Sequence, residues 1–215
     1  MDKIPIVLIG GGGHATSLLE IIEGDTHLRL EGFIDLPEKV GTSLHGYNYI
    51  GDDTCINDLI DKKYRFHIAL GQIKTANVRK EYYDILVSKR ALFYTLIANS
   101  AYMSSNSTIG EGSAILHQVF INNNAHIGNN TIINTKALIE HDAVIGNHCH
   151  VSTAVVVNGN CKIGNEVFIG SNSVLVQGIN IVDRVVVAAG SVVTKSLEKP
   201  GLYAGNPCKF IKYYA

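Results

Sequence analysis

The sequence is poor in charge, in cysteine and in long apolar runs. Only 17% of its residues are charged and the formal net charge is −1, which argues against the basic surface that nucleic acids or anionic membranes attract. Four cysteines lie without metal-site spacing, so reduced thiols and no metal are expected. No apolar run reaches membrane-spanning length and no signal peptide is recognisable, so the sequence predicts a cytoplasmic protein.

What the sequence contains instead is a six-residue repeat between Ile97 and about Lys195. Every sixth residue from Ile97 to Val193 is aliphatic, and the residue four places later, from Ala101 to Ser191, is small or β-branched. Neither helical spacing nor simple alternation gives this pattern. A fixed short period predicts stacked coils, each burying an apolar edge against its neighbours. No insertion breaks the register, so functional groups are expected on the coil walls or in a neighbouring chain.

Residues 1–96 predict a separate α/β domain that binds a nucleotide. Ile4–Ile9 has the composition of a buried parallel strand. It is followed by the glycines Gly10, Gly11, Gly12 and Gly13, by His14 and by a helical pattern. This order brings backbone N–H groups to a phosphate, which His14 could also contact. Asp35, at the end of the next strand (Glu31–Asp35), lies where a ribose-binding acid would. A glycine turn needed for packing alone remains an alternative.

The rest of this domain completes only half of a dinucleotide-binding fold. Strands are predicted at Tyr47–Gly51, Phe66–Gly71 and Ala91–Ile97, and helices at Ile56–Lys63 and Thr75–Lys89. The second helix carries Arg79, a candidate nucleotide contact. About 95 residues are too few for the two halves that a dinucleotide straddles. The expected ligand is therefore a mononucleotide or a nucleotide-linked small molecule, and an NAD-dependent oxidoreductase is disfavoured.

Three segments of the repeat and the tail resemble one enzyme family. They are I-N-T-K-A-L-I-E-H-D at 133–142, H-C-H-V-S at 148–152 and G-N-P-C-K at 205–209. Together with the glycine-rich domain they resemble the hexapeptide-repeat sugar O- and N-acyltransferases. That family includes sialic acid O-acetyltransferase and the N-acetyltransferases of nucleotide-linked 4-amino-4,6-dideoxy sugars. The resemblance implies a left-handed parallel β-helix over 97–195 and a capping segment over 196–215. The general rule for parallel crossovers would give the opposite hand.

The resemblance also implies roles for individual residues. His141 occupies the place of the proposed general base, and Asn134 and His150 occupy places that line the site. We expect Asn134 to position the sugar and His150 to contact acetyl-CoA or the base. Pro207 and Lys209 belong to the closing loop, which lies near coenzyme A in the family. Family members are homotrimers with sites between subunits, use acetyl-CoA as cosubstrate and need no metal.

The residues around His141 suit this chemistry. Acetyl transfer from a thioester requires a nucleophile that loses a proton, and a neutral imidazole accepts it near neutral pH. Asp142 could fix the tautomer and stabilise the imidazolium. His141 is the third residue of its hexapeptide, an outward-facing phase, and Gly159 lies eighteen residues later, one coil along. Adjacent strands are about 4.8 Å apart, so the Gly159 N–H is predicted to serve a thioester oxyanion.

The predicted function is acetyl-CoA-dependent N-acetylation of a nucleotide-linked amino-dideoxy sugar in bacterial surface-glycan biosynthesis. Two alternatives remain open. The segment 152–159 also resembles the sialic acid O-acetyltransferase branch. A protein of another class, a non-catalytic scaffold, would use the β-helix as an interaction platform and the glycine loop as a nucleotide sensor.

Overall fold

The chain forms an α/β layer followed by a long prism of parallel strands in the computed structural model, which describes residues 3–214. This is the predicted fold class: a half-Rossmann-like domain and a left-handed parallel β-helix. None of the helices within residues 3–214 is long and apolar enough to cross a membrane.

The N-terminal domain is a six-stranded sheet with helices on its faces. Its elements are β1 (Ile4–Ile9), α1 (Gly13–Glu23), β2 (Leu28–Ile34), β3 (Ser43–Leu44), β4 (Tyr47–Gly51), α2 (Ile56–Asp61), β5 (Arg65–Ile68), α3 (Asn77–Ser88) and β6 (Leu92–Phe93), with short 3-10 turns at Pro37–Lys39 and Asp53–Cys55. The strand order is β3-β4-β2-β1-β5-β6, and every pair is parallel except the β3–β4 hairpin. Ile6–Ile9 of β1 are at most 2% exposed, because parallel strands are covered on both faces.

The predicted elements of this domain are present: the strands Ile4–Ile9 and Tyr47–Gly51 have the predicted bounds, and the ends of the others differ by up to three residues. Three differences stand out. The hairpin strand β3 was not predicted. The strand predicted over Glu31–Asp35 begins earlier, at Leu28. The strand predicted over Ala91–Ile97 is divided: Leu92–Phe93 belongs to the N-terminal sheet, and Leu96–Ile97 opens the β-helix.

Three parallel sheets form the walls of the prism. The first face contains Leu96–Ile97, Ala114–Ile115, Ile132–Ile133, His150–Val151, Phe168–Ile169, Val185–Val187 and Gly201–Ala204. The second contains Tyr102–Met103, Phe120–Ile121, Leu138–Ile139, Val156–Val157, Val174–Leu175 and Val192–Val193, and the third Thr108–Ile109, His126–Ile127, Val144–Ile145, Lys162–Ile163 and Asn180–Ile181. Successive strands of a face are eighteen residues apart, as in the pairing of Ile133 with Val151.

The repeat predicts the interior of the prism correctly. From Ile115 onward, every sixth aliphatic residue is at most 4% exposed, and so is the small or β-branched residue four places later. Ile97, in the first coil, is 40% exposed, because no coil stacks on that end. At the other end an antiparallel hairpin of Gly201–Ala204 and Lys209–Lys212 closes the first face, and Tyr203 packs over the last coil.

Side chains along the corners hold the coils in register. Asn129, Asn147, Asn165 and Asp183 stack at one corner, and the Oδ1 atom of each accepts a hydrogen bond from a backbone N–H one coil earlier. Tight corners also place residues in the left-handed region, as at Asp142 (φ 61°), where Asn and Asp are the best tolerated non-glycine residues.

The N-terminal domain is packed on the first face of the prism. Leu96, Ala114 and Ile132 point outward from that face and join the apolar core that contains α1 and β1. Because this contact is apolar and buried, it fixes where the glycine loop lies relative to the coils.

Candidate active site

His141 and Asp142 lie at the corner between the second and third faces. The Nδ1 atom of His141 is 2.8 Å from Oδ2 of Asp142, and the side chains are 51% and 44% exposed. With Nδ1–H donating to the carboxylate, Nε2 carries the free lone pair that a general base needs. The exposed corner makes this lone pair reachable by a substrate.

Asp142 is held by a second contact. Its Oδ1 accepts a hydrogen bond from Nδ2 of Asn124, 2.7 Å away. The Asn124 contact, followed by that of His141, holds the pKa of Asp142 below its ordinary value. The carboxylate therefore stays ionised at neutral pH and can both orient the imidazole and stabilise its protonated form.

Gly159 lies directly beneath the imidazole. A Cβ built on it would lie 2.7 Å from Cε1 and from Nε2 of His141, so only glycine leaves the imidazole where it is. The Gly159 N–H donates no hydrogen bond to any atom of residues 3–214, although the next residue, Asn160, donates to the His141 carbonyl. An N–H that has no partner within residues 3–214 and lies beside an imidazole suits the predicted role of an oxyanion donor.

A second cluster of polar side chains, formed by Asn134, His150 and His14, lies under the N-terminal domain. The Nδ2 atom of Asn134 lies 3.2 Å from Nε2 of His150, whose Nδ1 is 2.8 Å from the carbonyl oxygen of Gln72. The rings of His150 and His14 are 6.5 Å apart. His14 has a buried Nε2 with no hydrogen-bond partner within residues 3–214, and burial lowers its pKa. In this cluster, Nε2 of His14 is the ring nitrogen that is still able to bond to a ligand.

The placement of His150 leaves few of its atoms open for the predicted contact with acetyl-CoA. It is 8% exposed, both ring nitrogens have partners, and burial lowers its pKa to about 4. A neutral, fully bonded imidazole has no polar atom left for a ligand. Within the described residues, the Nε2 atom of His150 is the partner of the Asn134 amide nitrogen.

The four glycines of the first loop divide into two pairs. A Cβ at Gly10 (φ +90°) would collide with Leu70, and one at Gly11 would lie 2.5 Å from the Tyr49 hydroxyl, so these two serve the turn and its packing. Their N–H groups donate to Ile34 and Asp35. A Cβ at Gly12 or Gly13 would meet no described atom within 4 Å, and α1 begins there without a side-chain cap. The prediction of a phosphate contact is therefore restricted to Gly12, Gly13 and His14.

Asp35 braces the glycine loop from the neighbouring strand. Its Oδ2 accepts hydrogen bonds from the Gly11 N–H (2.7 Å) and from Lys39 (2.8 Å), and its Oδ1 accepts one from Leu36. Burial opposes ionisation, but these hydrogen bonds lower the pKa of Asp35 overall. The ribose contact predicted for Asp35 would compete with bonds that the loop already uses.

Arg79 does not lie where the sequence prediction requires. Its side chain is 2% exposed and donates from Nη2 to the backbone and side-chain oxygens of Asn130, and from Nη1 to Gln72. The guanidinium is enclosed between the two domains, so it is not open to a nucleotide phosphate. Because α3 turns this residue towards the coils, the predicted nucleotide contact would require the guanidinium to leave these bonds.

The His141–Asp142 pair and the cluster of Asn134, His150 and His14 do not meet within one chain. Asn134 and His141 are seven residues apart along the coil, on either side of the second face, and no hydrogen bond or ion pair between them is formed in residues 3–214.

Pro207 and Lys209 are exposed at the hairpin of the closing loop. Sequence reasoning missed Gln72 and Asn124; the eighteen-residue register, which places Asn124 one coil before Asp142, could have identified the second.

Comparisons with known proteins cover nearly the whole chain. Residues 5–86 match the PglD N-terminal domain family, and residues 97–200 match the GMPPB C-terminal domain family. No curated protein sequence gives a significant match. The structure of a histidine variant of perosamine N-acetyltransferase from Caulobacter crescentus, with CoA and GDP-perosamine, is 28% identical, with a TM-score of 0.91 and 97% of each chain covered. The resemblance to the hexapeptide-repeat sugar acetyltransferases is confirmed.

Two further solved structures share the fold. The acetyltransferase domain of PglB from Neisseria gonorrhoeae FA1090 is 23% identical with a TM-score of 0.89, over 97% of this chain and all of that one. WeeI from Acinetobacter baumannii AYE is 23% identical with a TM-score of 0.84 and the same coverage. The predicted enzyme class, an acetyl-CoA-dependent acetyltransferase, is confirmed by the perosamine N-acetyltransferase structures that are 28% identical and hold CoA.

Proposed function

We propose that this enzyme transfers the acetyl group of acetyl-CoA to the amine of a nucleotide-linked amino-dideoxy sugar, in the synthesis of a bacterial surface glycan. The observation that carries the proposal is the His141–Asp142 pair beside the unpaired N–H of Gly159. It is supported by the relative that is 28% identical, which holds CoA together with GDP-perosamine. A 4-amino-4,6-dideoxyhexose is the sugar that this relationship favours.

The proposed reaction is direct attack without an acyl-enzyme. The sugar amine attacks the thioester carbonyl, and the Gly159 N–H stabilises the oxygen of the tetrahedral intermediate. Nε2 of His141 accepts the amine proton while Asp142 stabilises the imidazolium. Collapse of the intermediate breaks the C–S bond, and the proton passes from His141 to the departing sulfur or to water. The products are the acetamido sugar and coenzyme A, and no metal takes part.

Acceptor binding is proposed to begin at the N-terminal domain. The N–H groups at Gly12 and Gly13 start α1 and are free of side-chain caps, which suits the diphosphate of a nucleotide sugar. The buried Nε2 of His14 has no partner within residues 3–214. His14 lies between the proposed diphosphate position and His150, the neighbour of Asn134. Asn134 then contacts the sugar.

The separation of Asn134 from His141 implies a second copy of the chain. We propose a homotrimer in which the His141 corner of one subunit faces the Asn134 and His14 side of the next. Acetyl-CoA would then lie in the groove between two prisms, with Pro207 and Lys209 of the closing loop beside it. Each site would need two subunits to be complete.

The proposal is tested by a coupled assay of free CoA release, with mass spectrometry of the product. Amino-dideoxy sugars linked to dTDP, UDP or GDP should give an acetamide with one of the three nucleotides. Acetylation of a hydroxyl of free or CMP-linked sialic acid, with no reaction at any amine, would favour the O-acetyltransferase alternative. Binding of acetyl-CoA and nucleotide sugars without turnover would favour the non-catalytic scaffold.

A further inference from the structure

Arg79 is a buried cation without a carboxylate partner. Within residues 3–214 its guanidinium contacts three oxygen acceptors, all of them neutral: Oε1 of Gln72 (3.2 Å) and the backbone and Oδ1 oxygens of Asn130 (Oδ1 at 2.9 Å). A charge buried without an anion is costly, so such a residue adds little to stability for its own sake. A guanidinium is also a rigid planar fork, so its acceptors are held in fixed directions.

From Gln72 the contacts continue to the proposed sugar site. The backbone carbonyl oxygen of Gln72 accepts a hydrogen bond from Nδ1 of His150 (2.8 Å). This leaves Nε2 of His150 as an acceptor for Nδ2 of Asn134 (3.2 Å). Oδ1 of Asn134 accepts from the Thr135 N–H (2.7 Å). Each contact therefore decides the next: the carbonyl sets the tautomer of His150, and the tautomer sets which end of the Asn134 amide faces it.

We propose that Arg79 and Gln72 are positioning residues for the sugar acceptor, acting through His150 on the amide of Asn134. The two residues that start this chain belong to the N-terminal domain, and the two that end it belong to the coils. The nucleotide-binding domain thereby aligns the group that holds the sugar. The inference rests on the proposed function, in which Asn134 contacts the sugar and none of these residues transfers a proton.

Two substitutions at Gln72 provide a matched test. Gln72→Leu removes the acceptor that the Arg79 fork holds, and we expect the KM for the nucleotide sugar to rise about tenfold, with the KM for acetyl-CoA within twofold. Gln72→Glu keeps an oxygen facing Arg79, and we expect a KM for the nucleotide sugar near that of the wild type. Equal effects of the two substitutions, or equal rises in both KM values, would overturn the inference.

A double-mutant cycle separates positioning from a general loss of structure. Arg79→Met should lower kcat/KM for the nucleotide sugar about tenfold in the wild-type background, and by less than twofold when Asn134 is already alanine. Lys80→Met is the matched control, because the Lys80 side chain is half-exposed on the same helix and within residues 3–214 forms an ion pair only with Asp84; it should change neither value. Additive losses from Arg79→Met and Asn134→Ala would contradict the inference. If Arg79→Met does not fold, the same cycle is run with Gln72→Leu.

A readout that does not depend on turnover distinguishes this inference from the proposed function. All three proteins keep the backbone carbonyl at position 72, but Gln72→Leu loses the Arg79 contact that holds this residue in place. Long-range ¹H–¹⁵N spectra should therefore show His150 as the Nδ1–H tautomer in the wild type and in Gln72→Glu, and a tautomer mixture in Gln72→Leu, where the carbonyl shifts away from Nδ1. An unchanged tautomer in Gln72→Leu would refute the positioning chain. Failure of every amino sugar to react in the wild type would instead refute the proposed function and leave the spectra to decide the chain.

Discussion

The imidazole of His141 is held from one side by Asp142, with 2.8 Å between Nδ1 and Oδ2, while a glycine leaves the space beneath the ring open. This relationship turns an exposed corner histidine into a base of defined tautomer. In the proposed mechanism Nε2 is the atom that accepts the amine proton, and each of the first two predictions alters one side of this arrangement.

Replacing the carboxylate should impair the base without disturbing the fold. Asn at position 142 tolerates the left-handed backbone, but its amide would donate towards Nδ1 of His141 and favour the wrong tautomer. We expect Asp142→Asn to lower kcat about 10- to 100-fold, less than for a buried triad because this pair is solvent-exposed. Steady-state kinetics at pH 7.5 measure it. A kcat within twofold of the wild type would remove Asp142 from the mechanism.

Filling the space beneath the ring should displace the imidazole. The Cβ of Gly159→Ala would lie 2.7 Å from Nε2, so the imidazole would have to move away from the N–H proposed for the oxyanion. We expect kcat/KM to fall at least about 100-fold, as for a lost oxyanion donor. The coils themselves should tolerate the change, because Asn123 and Gln177 occupy the same phase in other coils. An unchanged thermal midpoint together with the kinetic loss is the expected result; unaltered kinetics would contradict the role of Gly159.

The glycine loop should separate into structural and ligand-facing positions. Gly11→Ala places a methyl group 2.5 Å from the Tyr49 hydroxyl and should lower the thermal midpoint of unfolding. Gly12→Ala meets open space and should leave the midpoint unchanged, while weakening nucleotide-sugar binding because the methyl group occupies the proposed diphosphate position. Calorimetric titration and thermal unfolding of both variants check this. A Gly12→Ala variant with wild-type affinity would exclude the loop from the ligand site.

Buried neutral histidines should make the fold sensitive to mild acid. Burial lowers the pKa values of His67, His148 and His150 to about 4. The unfolded chain, with histidine pKa values near about 6.5, therefore binds more protons than the folded chain between about pH 6.5 and pH 4. The free energy of unfolding should fall as the pH falls through this window, by up to about 1.4 kcal/mol per pH unit for each histidine.

The matched variants for this prediction are His67→Asn and His27→Asn. Asn at position 67 can still donate to the Tyr94 carbonyl but does not titrate, so the slope of stability against pH between 6.5 and 5 should decrease. His27 is exposed, and its replacement should leave the slope unchanged. Denaturant unfolding at several pH values measures both, and an identical slope for wild type and His67→Asn would show that His67 does not contribute.

The prism could be predicted from the sequence because its cause is local. A period of six residues, with one large and one small inward position, is buried completely by stacked coils. Counting eighteen residues along the register then places Gly159 under His141. The same counting would have identified Asn124 as the second partner of Asp142. The hand of the helix came from the family resemblance.

The contacts between the domains could not be predicted in this way. Arg79 looked like an exposed phosphate ligand because helical spacing does not say which face of α3 meets the coils, and its partner Asn130 is 51 residues away. His150 was assigned to coenzyme A because nothing local indicates that the Gln72 carbonyl covers it. These contacts depend on how the two layers dock, and the sequence pattern of each layer describes only its own interior.

The most direct test is the transfer of radiolabelled acetyl from acetyl-CoA to a nucleotide-linked amino sugar by the wild type, by His141→Asn and by the exposed control His27→Asn. The account predicts that His141→Asn loses about 10²- to 10⁴-fold in kcat while both KM values stay within a few-fold, and that His27→Asn behaves like the wild type. A His141→Asn enzyme that turns over at the wild-type rate would contradict the account.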